Sequence, residues 1–292
     1  MIAAYAQLAG AMALVGVNVG VGKLLADALP VATVLALRCA LAALVLLPLV
    51  ARGLRVPGRA VMLNLLAQST VGTMLYNWAL LAGVQRTGVL DAGLVLATLP
   101  AAVAVGAWLF LREPLPGRAL LAAILAAGGM AVLAWGRGGG LHLSGLGYAL
   151  LGLAVCGEAA YVLLAKANAG RIGVLPATFW MQLFGAVTLV PFVAWDAAGA
   201  MALPTAGLLV FHSLTASVAA VVLWYAGLRR VPSNVAGVFA GVLPLTAGLT
   251  GVLALHEPLT AAHGVGALLM LLSMVLATAP GRAATAATQR AQ

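Results

Sequence analysis

The sequence predicts an all-α integral membrane protein of ten transmembrane helices, built as two inverted five-helix repeats. Three observations carry that reading. The first is composition: 64% of the 292 residues are hydrophobic and 7% are charged. A soluble domain carries about a quarter charged residues, so polar surface is too scarce to cover a water-soluble fold. The second is an internal duplication. Leu99–Leu115, LPAAVAVGAWLFLREPL, returns as Leu243–Leu259, LPLTAGLTGVLALHEPL, 144 residues later and without a gap. The same offset carries Ser69 onto Ser213, Gly83 onto Gly227, Arg86 onto Arg230, Gly93 onto Gly237 and Met130 onto Met274. One offset near half the chain length marks two related halves rather than a short-period solenoid. The third is charge asymmetry. With the N-terminus inside, eleven Lys and Arg fall on inner segments and three, Lys23, Arg86 and Arg137, on outer ones. Cytoplasmic loops carry such an excess, so both termini are expected in the cytoplasm and the chain in a cell (inner or plasma) membrane.

About 20 apolar residues span a bilayer as a helix. Spans are therefore expected at about 3–23, 31–51, 61–82, 89–111, 117–136, 144–165, 174–195, 206–228, 234–255 and 260–279. The first lacks a basic leading segment and is too long for a signal peptide, so it is expected to stay. The breaks hold turn chemistry, as in Arg55-Val-Pro-Gly, Arg112-Glu-Pro, Gly138-Gly-Gly and His256-Glu-Pro. Residues 1–140 form the first repeat, 141–280 the second, and the small, polar 281–292 a disordered cytoplasmic tail. Five spans per half is an odd number, so the second half lies upside down. The charges follow: Arg52, Arg55 and Arg59 map onto Asp196, Gly199 and Leu203, and Arg112 onto His256. Inverted repeats are a construction of secondary transporters, with the substrate near the midplane where the repeats meet.

Ionisable or polar groups at bilayer depth are expensive and by default functional. Glu158 is a carboxylate deep in the sixth span, with Tyr161 three residues on and on the same helical face. It is a candidate to hold a substrate amine, a coupling proton, or each in turn. Gln68 and His212 are mates at the 144 offset and suggest one cavity shared by both halves. Histidine ordinarily titrates near physiological pH, so His212 competes with Glu158 for the coupling proton. Asn18 and Tyr76 are further candidates for substrate binding. Arg38, the mate of Gln182, lies about 10 Å into its span by helix rise; a snorkelling structural role is expected. Trp78, Trp224 and Tyr225 read as interfacial anchors. Asp91 reads as an N-terminal helix cap, and Glu113 and Glu257 as structural parts of the duplicated Glu-Pro turns. Pro100 and Pro244, mirrored in the fourth and ninth spans, are candidate hinges. Cys39 and Cys156 sit in apolar runs and read as small core residues without a disulfide.

The net charge of +9 is spread singly or in pairs between apolar runs. That suits a lipid surface and not nucleic acid. There is no G-x-x-x-x-G-K-[ST] for ATP and no clustered His, Asp or Ser motif for intramembrane catalysis. No enzyme activity, catalytic residue, cofactor or metal is therefore expected. The 35 glycines and many alanines suit close helix packing, either within one chain or against a second copy in a homodimer.

Together, Asn18 in Gly-Val-Asn, Arg38 early in the second span and the Leu-Pro…Glu-Pro-Leu ends of the fourth and ninth spans make the chain resemble EamA-type transporters of the drug/metabolite transporter superfamily, over about residues 3–279. The resemblance implies movement, expected in the export direction, of small metabolites, often amino acids or their relatives, through a central cavity between the halves. A lipid-linked head-group flippase or a drug exporter on the same fold is the alternative.

Overall fold

The computed structural model describes residues 2–112, 115, 117–136, 141–168, 171–228, 230, 239 and 242–278. All regular structure among them is helical. The chain runs through α1 (Ile2–Ala28) and α2 (Val31–Val50). Next, α3 (Arg59–Ala67) passes through a π-helical segment, Gln68–Leu75, into α4 (Tyr76–Thr87). The fourth expected span is broken into α5 (Val89–Leu96) and α6 (Leu99–Leu111), bent by 44°. Then come α7 (Gly117–Gly136), α8 (Leu141–Ala167), α9 (Val174–Leu189) and the short α10 (Trp195–Gly199). In the eighth expected span, α11 (Leu203–Leu214) enters a second π segment, Thr215–Ala219, and continues as α12 (Ala220–Leu228). Finally α13 (Val242–Leu249) ends in a π segment, Thr250–Ala254, before α14 (Ala261–Thr278).

Helix thus occupies all ten expected spans, although the start of the ninth, the tail 281–292 and Glu113 lie outside the described residues. Five unbroken helices are long and apolar enough to cross a membrane, and the bent α5–α6 pair makes a sixth. The rest are shorter or interrupted. The break in α5–α6 falls at Ala97 and Thr98, where Thr98 Oγ1 donates to Val95 O at 2.7 Å. Pro100 follows in the first turn of α6, where its missing N–H has no helical partner to lose.

Packing repeats across the two halves. The second span meets its own mate (α2 on α9), and so does the fifth (α7 on α14). Contact of α4 with α8 is mirrored by α12 with α1, and α6 with α8 by α13 with α1. The duplicated glycines work at these mirrored crossings. A Cβ on Gly83 would stand 2.8 Å from Leu151 Cδ2, and one on Gly227 would stand 2.7 Å from Leu8 Cγ. Between apolar helices in lipid, close approach at small residues supplies the attraction that exclusion of water supplies in a soluble core.

The duplicated Glu-Pro turns share an unusual backbone. Arg112 (φ 55°) and His256 (φ 54°), mates at the 144 offset, are the non-glycine residues with positive φ among the described residues. Beyond His256, the Glu257 carboxylate crosses to the other repeat and caps α5: Val89 N donates to Oε1 and Leu90 N to Oε2, both at 2.8 Å. Two orphan N–H groups and the positive end of a helix dipole are satisfied at once. Gly88 (φ 118°) and Gly251 leave the room, since a Cβ on either would lie within 2.9 Å of the carboxylate. The structure adds a second carboxylate to the one read from the sequence at this helix start. Asp91 lies in the first turn of α5, where its charge suits the helix N-terminus, and its Oδ1 is 3.1 Å from His263 Nε2. The carboxylate that takes the first N–H groups comes from the far repeat, which local sequence does not reveal. The reading of Cys156 is corrected: it is exposed on its helix rather than in the core, whereas Cys39 is buried.

Glu257→Ala leaves two buried amides unpaired, at about 1–3 kcal/mol each. Thermal unfolding in detergent is expected to fall by several degrees, and Gly88→Ala to lower it as well.

Candidate functional site

A cavity of about 200 Å³ lies where α1, α2, the first π segment, α4, α8, α9 and the α11–α12 span converge. Of the residues singled out from sequence, Asn18, Tyr76, Glu158, Tyr161 and His212 line it, together with Arg38, Asn77 and Gln182. Gln68 does not. It is buried, and its Nε2 donates to Asn64 Oδ1 at 2.6 Å, an oxygen that also accepts from Asn168 Nδ2 at 2.8 Å. The two mates therefore part company, with His212 at the cavity and Gln68 bonded to Asn64, which itself receives Asn168 at the end of α8. Pro100 and Pro244 lie away from the cavity walls, Pro100 in the first turn of α6 and Pro244 within α13.

Glu158 and Tyr161 reach the cavity because α8 runs tight against the π segment. Gly72 lets the Tyr161 ring pack directly on its backbone, and Gly157 faces Val71 O, which a Cβ would meet at 3.1 Å. A π turn widens a helix locally and is frequent at functional sites. Both repeats carry one in the third span of the half, at Gln68–Leu75 and Thr215–Ala219. The duplicated serines fix these segments to the opposite repeat. Ser69 Oγ donates to Met181 O at 2.8 Å, and Ser213 Oγ donates to Arg38 O at 2.9 Å. Sequence comparison of the halves singles out both serines but not their reciprocal role.

Asn18 ties three helical elements together. Its Nδ2 donates to Leu14 O and to Thr215 Oγ1, both at 2.8 Å. Its Oδ1 is left to accept, so the His212 Nδ1 that meets it at 2.7 Å carries the proton of that bond. The Nε2 of a neutral His212 is then the acceptor side of the ring. On the other wall, Arg38 Nη1 donates to Asn77 Oδ1 at 2.9 Å, and Asn77 Nδ2 donates to Thr73 O at 2.7 Å. Tyr76 lines the cavity together with Glu158 and Arg38.

Two other spaces differ in kind. A groove of about 750 Å³ between α6, α7 and α8 is lined by alanine, leucine and other apolar residues, with Thr98 and Cys156 its polar members. It offers nothing to orient a polar metabolite. Trp78 is 46% exposed, as an anchor would be. Trp224 instead packs against Ala4 and Leu8, and the Tyr225 side chain lies outside the described residues. Among the described residues no group of three or more His, Cys, Asp or Glu could hold a metal ion.

Comparison with known proteins agrees with this architecture. Residues 2–135 and 145–279 each match the EamA-like transporter family. A Bacillus subtilis (strain 168) protein described as the uncharacterized transporter YetK is 34% identical over 273 residues, covering 90% of this chain and 83% of its own. A solved crystal structure aligns over 99% of both chains with a TM-score of 0.59 at 18% identity, a likeness of fold alone.

Asn18→Ala is expected to leave the His212 Nδ1–H without its acceptor and to lower stability by about 1–3 kcal/mol. Thermal unfolding of the purified variant in detergent measures it.

Proposed function

We propose that this chain, which belongs to the EamA-like transporter family, is a secondary active transporter that exports small amino acids or related zwitterions through the cavity between its repeats. The observation that carries the reading is the cavity itself. It joins the deep carboxylate Glu158 to neutral hydrogen-bonding groups of both halves, within about 200 Å³. Drug-sized ligands occupy pockets of about 300–1,000 Å³, so the space favours a smaller cargo over a drug or a lipid head group. An ammonium group on the substrate pairs with ionised Glu158. A proton on the same carboxyl releases it, which couples the cargo to a proton moving the other way. His212, hydrogen-bonded through Nδ1, is a second proton acceptor through Nε2. Asn18, Tyr76 and Tyr161 orient the cargo, and Gln68 acts at a distance by fixing Asn64, which receives Asn168 from the end of α8.

Alternating access then requires the repeats to rock about the site. The 44° break before Pro100 and the mirrored Pro244 are the places where the spans would bend. The basic residues support a cell-membrane orientation with both termini in the cytoplasm.

The test is uptake of a labelled amino-acid panel into proteoliposomes of purified protein, with and without a pH gradient. One class is expected to accumulate in a gradient-dependent way, and Glu158→Gln to lower that accumulation at least tenfold and remove its pH dependence. Full, still pH-dependent transport by Glu158→Gln overturns the coupling role. Pro100→Ala with Pro244→Ala is expected to slow turnover several-fold with substrate binding unchanged, read from uptake rates beside ligand-induced thermal shifts.

A further inference from the structure

We propose that Arg38 and Gln182 form the pole of the central cavity that reads the head of the substrate, with Arg38 taking a carboxylate and Gln182 an adjacent ammonium. The inference rests on the transporter reading above and narrows it to molecules that carry both groups side by side.

The two residues are mates at the 144 offset, on helices α2 and α9, which pack against each other. Both line the cavity. They are deeply buried, 6% and 8% exposed. Each keeps a polar atom that no described residue satisfies: the Nε of Arg38, a donor, and the Oε1 of Gln182, an acceptor. Buried polar groups are nearly always paired, and an exception needs a reason. Here two exceptions, of opposite hydrogen-bonding sense, stand at symmetry-related positions on one cavity. Asn77 uses one Nη1 donor of Arg38 and holds the guanidinium in place. It supplies no charge. The acids on the described walls amount to Glu158, and no ion pair joins it to Arg38 among the described residues.

A carboxylate entering the cavity meets the remaining edge of the guanidinium, the fork geometry in which arginine binds that group most strongly. It also neutralises a charge that is costly in a membrane interior. An ammonium on the neighbouring carbon falls to Gln182 Oε1 and Glu158. A phosphate fits less well: its second negative charge would stand unpaired beside Glu158. A snorkelling arginine would bring its head to the interface; this one lines the cavity and is 6% exposed.

The experiment uses purified full-length protein and four ligands built on one side chain: the transported amino acid, its carboxamide, its decarboxylated amine and its des-amino carboxylate. Affinity is read from ligand-induced thermal shifts and from competition with labelled uptake. In the wild type, the carboxamide and the amine are expected to bind at least tenfold more weakly than the amino acid. Arg38→Gln is expected to bring acid and amide within about threefold of each other, with Arg38→Lys intermediate. Gln182→Ala should weaken the amino acid and spare the des-amino carboxylate. Asn77→Ala, which removes the structural bond of Arg38, should keep the preference for the acid. Amide or amine binding as tightly as the amino acid in the wild type overturns the assignment, even if Arg38→Gln does not fold, and leaves transport of amino compounds standing. Des-amino carboxylate binding as tightly as the amino acid supports Arg38 and overturns the zwitterion reading. If none of the four binds, both fall.

Discussion

A backbone amide in hydrocarbon has no water to turn to, and each unpaired one costs several kcal/mol. Everything regular in this fold follows from that constraint, and so does everything irregular. Where the fourth span breaks, Thr98 Oγ1 donates to Val95 O. Where α5 restarts, its first N–H groups are taken by a carboxylate from the other repeat. Glu257 therefore helps bind the halves to each other, because α5 has its cap only while the two repeats stay in contact at that end. Gly88 and Gly251 are small for the same reason.

Duplication has turned single interactions into pairs. Ser69 reaches from the first repeat to a carbonyl of the second, and Ser213 reaches back. Gly83 and Gly227 admit leucines at mirrored crossings. The cavity lies between these ties, so its walls are set by contacts that both halves make alike. What differs is the polar equipment: Glu158 stands opposite Leu14 in the alignment of the halves, His212 opposite Gln68, and Arg38 opposite Gln182. The scaffold is shared, and the chemistry is not.

The helical class and the repeat were legible in the sequence because apolar run length and a constant offset survive without knowledge of contacts. Glu158, Tyr161, His212, Asn18 and Tyr76 were legible as cavity residues for a similar reason, since polar groups at bilayer depth have few places to go. Gln68 was not, because Asn64, itself bonded to Asn168, gave it a partner away from the cavity. Asp91 and Glu257 could not be told apart as caps from local spacing: one is three residues into the helix, the other 166 residues away in the chain. Arg38 looked structural in sequence, and half of that is right, since Asn77 holds it. Only packing reveals the unsatisfied Nε and the matching gap at Gln182.

The mirrored contacts also bear on resting energetics. In an inverted repeat, exchanging the conformations of the two halves converts one facing into the other. Perfect two-fold symmetry would make those facings degenerate, each half occupied. A bias of 99 to 1 needs only about 2.7 kcal/mol, a difference small beside the total packing energy. Paired features such as Gly83 with Gly227 cancel from that difference. Unpaired ones remain, among them the Asp91–His263 contact, whose mates in the alignment are Val235 and Ala119. In the alternating-access cycle proposed above, the residues that break the symmetry are thus the ones that set the resting facing.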